Sequence, residues 1–247
     1  MSGASAGSPD KPPLSDRFLV AFARAEEALT RLLGTTSGSS FHWLVRQAAR
    51  RNAIVRSAED DLLEYAELRN AVVHERGGGF VIAEPHPDVV RRLERIVELI
   101  ENPPRIEDAM SRPVITCAPD EPVGEAARRM VEGDFSRIPV YQDGTLVGLL
   151  TSNALARWLA TRLAGTLDSL VAETVRVVMG HGEAAARFEV VDHETRVADV
   201  VGLFLDATQE GRRLEAVIVT RRGAPDERPL GIVTLQDLPR LFALVQP

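Results

Sequence analysis

The sequence has one cysteine, one lysine, few aromatic residues (5%) and no long apolar run. Because Cys117 stands alone, an intrachain disulfide is excluded, and a reducing compartment is favoured. No stretch approaches the roughly 18–20 apolar residues that a membrane-spanning helix requires. The net charge of −7 argues against general nucleic-acid binding, which needs concentrated positive charge. We therefore expect a cytoplasmic protein without membrane contacts.

Several catalytic and metal-binding motifs are also missing. The sequence contains no P-loop, no Gly-x-Gly-x-x-Gly and no pair of cysteines for zinc. Its five histidines lack the spacing of metal ligands. Cys117 lies beside a predicted strand, which indicates a buried, small apolar residue and not a nucleophile. We expect no bound metal and no required cofactor.

The length of 247 residues fits two modest domains, each with its own core. Residues 1–13 are small and polar and are predicted to form a disordered leader. Residues 14–102 show helical periodicity, and residues 103–247 contain a repeated unit. Asn102, Pro103 and Pro104 mark the boundary between the two parts.

The first domain is predicted to be a bundle of four or five helices. Apolar residues at helical spacing predict one helix over residues 14–34, ended by Gly34, and a second over residues 41–55. Ser57 and Asp60 form a capping-box variant that predicts the start of a third helix. Pro87 is expected to open the last helix, since proline favours the first helical position.

A unit that occurs twice organises the second domain, with the first copy at residues 105–165 and the second at 172–247. Each copy is predicted to contain strand, helix, strand, turn, strand and helix. The predicted elements of the first copy are a strand at 114–116, a helix over 119–130 that begins at Pro122, a hairpin around Gly144 and a helix over 152–164. Those of the second copy are strands at 188–191, 215–218 and 230–234, with a polar hairpin loop over 221–229.

The order of these elements and the closing Gly-apolar-apolar-Thr resemble the tandem CBS (cystathionine-β-synthase-type) pair, or Bateman module. The resemblance implies a pair of βαββα units. With the helical bundle predicted from periodicity, the fold class is α+β multidomain, in which an all-α bundle precedes the pair. It also implies that clefts in the pair bind an adenine nucleotide such as AMP, ADP or ATP as a regulatory ligand. Such modules usually sense a ligand and do not transform it.

The resemblance points to a Thr-x-x-Asp pattern after the last strand of each copy. The threonine hydroxyl reaches a phosphate or ribose, and the aspartate accepts hydrogen bonds from the ribose diol. The second copy matches with Thr234 and Asp237, whereas the first has Thr151 followed by Ala154 in place of the aspartate. Strand residues that match the adenine edge, and the remaining candidate Thr116, complete the predicted ligand site: Ile138, Pro139, Ala216, Val217 and Thr116.

Other interpretations of the predicted ligand site remain open. Thr234 and Asp237 also fit the N-terminal cap of a helix, because threonine favours that position. Many CBS pairs serve as dimer scaffolds without a ligand. Basic residues that could stabilise a polyphosphate are equally consistent with solvated surface positions: His181, Arg187, Arg212 and Arg213.

The helical domain contains Arg69-Asn70-x-x-x-His74, which resembles the Arg-x4–6-His motif of the HEPN superfamily. Many HEPN proteins are metal-independent ribonucleases, in which histidine can act as the base and arginine can stabilise phosphate charge. Residues five apart lie about 140° apart on a regular helix, at about 100° per residue. Arg69 and His74 therefore need a helix end, a distortion or a second subunit to meet.

Three functions follow from these patterns. The first is a regulatory protein whose CBS pair binds an adenine nucleotide and controls the helical domain. The second is a HEPN-type ribonuclease that uses Arg69, Asn70 and His74 and is gated by the CBS pair; RNA is a partner only in this case. The third is a ligand-free scaffold. We expect a homodimer under all three.

Overall fold

The computed structural model describes residues 12–36, 38–74, 84–162, 172–182 and 187–246. Most of the predicted leader, the glycine run at 77–79 and the predicted end of the helix over 152–164 lie outside these residues. The chain divides into two compact units, one ending at Pro103 and the other covering Pro104–Leu244. None of the described helices is long and apolar enough to cross a membrane.

The described residues of the first unit form five helices: α1 (Leu14–Leu33), α2 (Phe41–Ala49), α3 (Ala53–Ser57), α4 (Glu59–His74) and α5 (Pro87–Glu101). Helix α1 ends at Gly34, whose φ of 63° is strained for residues with a side chain. Helix α5 begins with Pro87 after the N-cap His86, as predicted. The core contains aromatic rings from three helices: Phe18, Phe22, Phe41 and Tyr65.

Two sequence predictions in this unit are wrong. The stretch 41–55 is not one helix, because the Asn52 side chain accepts a hydrogen bond from the Val55 N–H at 3.1 Å and starts α3. An N-cap residue has non-helical backbone angles, so it interrupts the helix before it. Ser57 does not cap the third predicted helix: its hydroxyl donates to the Ile54 carbonyl at 2.8 Å, and α4 begins two residues later.

The first repeat consists of α6 (Val123–Glu132), β1 (Arg137–Gln142), β2 (Thr145–Thr151) and α7 (Ser152–Arg162). Strands β1 and β2 pair antiparallel around Asp143 and Gly144, both with positive φ, which confirms the predicted hairpin.

The described part of the helix predicted over 152–164 is α7, whereas two other predictions for the first repeat need correction. The strand expected at 114–116 is absent, and only Cys117 forms a bridge, parallel to Val140. The helix starts at Val123, not at residue 119, because Pro122 stands at its N-cap.

The second repeat consists of α8 (Val175–Met179), β3 (Arg187–Asp192), α9 (Val197–Gln209), β4 (Leu214–Thr220), β5 (Gly231–Val233) and α10 (Leu238–Val245). Strand β4 is central: it pairs parallel to β3 and antiparallel to β5. All seven of its residues are buried, as expected for an apolar run covered on both faces. The βαββα order from β3 to α10 agrees with the prediction.

Each repeat is completed by the opening segment of the other one. Ser111, in the opening segment of the first repeat, pairs with Ile232 of β5 through two backbone hydrogen bonds of 2.9 and 3.0 Å. In the reverse direction, Val175 and Val178 of α8 lie in the core of the first repeat. The two repeats are therefore interdependent, and neither has a complete core without the other.

Candidate functional site

The candidate site in the second repeat is the turn from Thr234 to Asp237, between β5 and α10. One oxygen of the Asp237 carboxylate, Oδ2, accepts the Thr234 backbone N–H at 2.8 Å and the Thr234 hydroxyl at 3.1 Å. This is the pattern of a carboxylate that reaches back to the start of a helix. These contacts within the turn give the interpretation of the two residues as a helix cap a direct structural basis.

The other oxygen of Asp237, Oδ1, binds two side chains from outside the turn. The Ser111 hydroxyl, from the opening segment of the first repeat, donates at 3.0 Å. The guanidinium of Arg240, one turn along α10, donates from Nη2 at 3.0 Å, and the same nitrogen also donates to the Ala109 carbonyl at 2.6 Å. The carboxylate is 16% exposed and therefore partly open to solvent.

The corresponding turn in the first repeat is different. The Thr151 hydroxyl accepts the Ala154 backbone N–H at 3.1 Å, so Thr151 caps α7. Ala154 is 1% exposed and packs in the core of the repeat. No carboxylate stands at this position, and therefore the first repeat cannot hold a ribose diol through the acceptor used in the predicted pattern.

The strand residues predicted to line the ligand are all buried: Ile138 and Pro139 on β1, and Ala216 and Val217 on β4. Thr116 lies before Cys117, and its carbonyl accepts a hydrogen bond from the Arg129 guanidinium at 2.9 Å.

The basic candidates have other contacts. Arg212 forms an ion pair with Glu210, and Arg213 contacts Glu215 at 2.7 Å. His181 contacts the Val177 carbonyl at 3.0 Å through its ring. Arg187 is exposed at the start of β3.

The sequence analysis missed an ion pair that joins the two repeats. Arg137 of β1 and Glu215 of β4 lie 2.8 Å apart, with side chains only 10% and 11% exposed. Arg137 also donates to the Ser136 hydroxyl at 2.6 Å. The two residues stand at the same position of the two copies, directly before Ile138 and Ala216. Opposite charges at equivalent repeat positions were the signal that could have revealed the pair.

The motif residues of the helical unit lie on α4. Arg69 and Asn70 are both exposed, and their side chains are linked by a hydrogen bond of 3.4 Å. His74 is the last residue of α4 that the structure describes. Its side chain lies outside the described part of the structure.

Cys117 is the free cysteine of the chain and is buried. Burial raises the pKa of its thiol from 9.0 to about 11, and the nearby Arg129 opposes this shift. The thiol is therefore protonated at neutral pH, which is unfavourable for a nucleophile. Among the described residues, no group of histidine, cysteine and carboxylate side chains could hold a metal ion.

Comparison with known proteins gives a family match within the first repeat. The family model of the CBS domain matches residues 106–161. The uncharacterized protein MK0525 of Methanopyrus kandleri is 30% identical over 117 residues, which are 43% of this chain and 58% of that protein. The uncharacterized protein MJ1225 of Methanocaldococcus jannaschii is 36% identical over 74 residues, 30% of this chain and 25% of that protein. The chain thus spans about a quarter to somewhat over half the length of these curated relatives.

Solved structures with partial similarity include CBSX2 in complex with AMP, with 20% identity and a TM-score of 0.43 over 58% of this chain and 99% of that one. Another is the CBS domain pair of protein MJ0100 in complex with 5′-methylthioadenosine and S-adenosyl-L-methionine. It has 23% identity and a TM-score of 0.41 over 57% of this chain and 97% of that one. Those ligands are properties of those proteins.

Proposed function

We propose that the two repeats form a CBS pair that binds one adenine nucleotide, held through its ribose by Asp237 and Thr234 of the second repeat. The observation that carries the proposal is the partly exposed carboxylate of Asp237, placed directly after the last strand of the repeat. It is supported by the match of the first repeat to the CBS domain and by the repetition of the unit along the chain.

The chemistry of the turn suits a ribose diol. A carboxylate offers two acceptor oxygens and no donor, and a cis-diol offers two donors at a matching spacing. The residues predicted to match the adenine edge, Ala216 and Val217, are apolar and buried on β4. The first repeat has Ala154 in place of the carboxylate, and therefore we assign one nucleotide to each chain.

The regulatory part of the proposal follows from the interdependence of the repeats. Ser111, which follows the helical unit along the chain, contacts Asp237 in the second repeat. A ligand that binds Asp237 therefore affects Ser111, which lies between the helical unit and Asp237 along the chain. Since a ligand changes a conformational equilibrium only through contacts that differ between two states, this contact is a concrete starting point for regulation.

The test is thermal unfolding with AMP, ADP, ATP and S-adenosylmethionine, on the wild type and on Asp237→Asn. A ligand at 100 times its dissociation constant adds roughly 2.7 kcal/mol of stability. We expect at least one compound to stabilise the wild type and to lose this effect in Asp237→Asn.

Asp88→Asn is the matched control, because Asp88 and Arg91 form an exposed (i, i+3) ion pair like that of Asp237 and Arg240. This control should respond to the compounds like the wild type. If no compound stabilises the wild type, or if the compounds stabilise Asp237→Asn as much as the wild type, the proposed site is wrong. The hypothesis of a ligand-free scaffold is then favoured.

A second candidate function belongs to the helical unit. Arg69 and Asn70 are adjacent and exposed on α4, and His74 is the last residue of α4 that the structure describes. This placement favours the hypothesis of a HEPN-type ribonuclease, assembled in a homodimer. RNA cleavage by the wild type that is lost in His74→Ala, with the same thermal stability, would support it. If the wild type cleaves no RNA, either with or without nucleotide, the ribonuclease hypothesis is excluded.

A further inference from the structure

The Asp237 carboxylate already holds as many donors as it can accept. An ionised carboxylate offers about four lone-pair sites, and here Thr234 contributes two donors, Ser111 one and Arg240 one. A ribose diol brings two further donors. Binding of the diol to Asp237 therefore requires that existing donors leave.

The four donors differ in how easily they can leave. Both donors of Thr234 come from within the turn and hold the start of the helix that follows. Ser111 contributes a neutral hydroxyl, which can rotate about a single bond. Arg240 is 53% exposed, so its guanidinium can be hydrated once it is released. Ser111 and Arg240 are therefore the donors that a diol can replace.

These two donors also share a location. Arg240 binds the Ala109 carbonyl as well as Asp237, and Ser111 follows two residues later. Between them, Met110 packs so closely on Gly231 that a Cβ at position 231 would lie 2.7 Å from the Met110 Cβ. Displacement of both donors thus removes the side-chain hydrogen bonds that tie the segment 109–111 to Asp237 and Arg240, while its backbone hydrogen bonds with Ile106 and Ile232 can remain.

We propose that Ser111 and Arg240 are built-in competitors of the nucleotide, which occupy Asp237 in the free protein and are displaced by the ribose diol. The inference rests on the proposed function of Asp237. It deepens that function, because the strength of the two internal contacts sets the nucleotide concentration at which the site responds. The free and bound states then differ in the anchoring of the segment 109–111.

The experiment is isothermal titration of AMP into full-length wild type, Ser111→Ala, Arg240→Ala and Asp237→Asn. Removal of a competitor should tighten AMP binding, by roughly three- to tenfold for each variant, since a typical hydrogen bond contributes about 0.5–1.5 kcal/mol net and 1.4 kcal/mol is tenfold. Asp237→Asn should abolish binding. With 2′,3′-dideoxy-AMP, which has no hydroxyl to place on the carboxylate, Ser111→Ala should bind as the wild type does.

Two control variants show whether AMP affinity changes when a hydroxyl or an arginine is removed elsewhere in the chain. Ser57→Ala removes a hydroxyl that donates to a backbone carbonyl in the helical unit, and Arg91→Ala removes the cation of the exposed pair with Asp88. Neither should alter AMP affinity.

The outcomes are distinguishable. Tighter binding of AMP, but not of dideoxy-AMP, by Ser111→Ala and Arg240→Ala supports the inference. If AMP binding depends on Asp237 but both variants bind AMP as the wild type does, or more weakly, the competition is refuted while the proposed function stands. If the wild type and the two variants bind none of AMP, ADP, ATP and S-adenosylmethionine, both are overturned.

Discussion

The buried ion pair between Arg137 and Glu215 gives the sharpest prediction about how the two repeats are held together. The two side chains are about 90% buried, with exposures of 10% and 11%, and they join β1 to β4 at 2.8 Å. Substitution Glu215→Ala would leave the Arg137 guanidinium buried with only the Ser136 hydroxyl as a nearby side-chain partner in the described contacts. Loss of one partner of a buried pair costs about 3–5 kcal/mol.

The same reasoning predicts that stability is recovered when both partners of the pair are replaced. A paired substitution, Arg137→Met with Glu215→Leu, removes both charges and fills the space with apolar atoms of similar volume. Such replacements of buried pairs are often neutral or stabilising. We expect the double variant to be more stable than Glu215→Ala. Arg213, whose side chain is 54% exposed, should contribute less than about 1 kcal/mol to stability.

Urea unfolding followed by tryptophan fluorescence measures these effects. The sequence has two tryptophans, so a Trp43→Phe background leaves Trp158, which is buried in the core of the first repeat, as the reporter. Glu132→Ala, in an exposed pair with Arg128, is the control and should cost less than about 1 kcal/mol. A cost below about 1 kcal/mol for Glu215→Ala would refute the assignment of this pair as a buried inter-repeat contact.

Three further predictions concern the second unit. Because burial raises the pKa of Cys117 to about 11, the folded state retains a proton that the unfolded chain releases above pH about 9. The free energy of unfolding should therefore fall from pH about 9 to about 11, less steeply in Cys117→Ala, and alkylation of Cys117 should require unfolding. The buried Tyr141 hydroxyl has no hydrogen-bond partner among the described residues, so Tyr141→Phe should leave stability unchanged or increase it by about 1 kcal/mol in urea unfolding; a loss of that size would reveal a missing partner. Gly231→Ala should destabilise by about 1–3 kcal/mol through its clash with Met110, and thermal unfolding equal to that of the wild type would contradict the packing of this segment.

Local patterns predicted much of the fold. The hairpin at Gly144 and the start of α5 at Pro87 follow from backbone preferences of one or two residues, which act within a few positions of the chain. The break at Asn52 also had a local cause, since asparagine is a favoured N-cap, but apolar periodicity on both sides concealed it. Where two local rules competed, the sequence could not decide between them.

The remaining features depend on distant contacts. Ser111 reaches Asp237 across 126 positions, and Arg137 reaches Glu215 across 78. The contact of Ser111 with Asp237 is not predictable from spacing along the chain, because it arises from the packing of one repeat against the other. For Arg137 and Glu215, the equivalent positions in the two copies were a signal, but not proof of contact. The prediction therefore identified Thr234 and Asp237 as a pair, but not that Asp237 is already saturated with donors.

The stoichiometry of AMP binding tests the central proposal most directly. Isothermal titration of the full-length wild type should give one AMP per chain, because only the second repeat carries the carboxylate, at Asp237, while the first has Ala154. Asp237→Asn should bind none. Two AMP molecules per chain, or one that persists in Asp237→Asn, would contradict the assignment of the nucleotide to this turn.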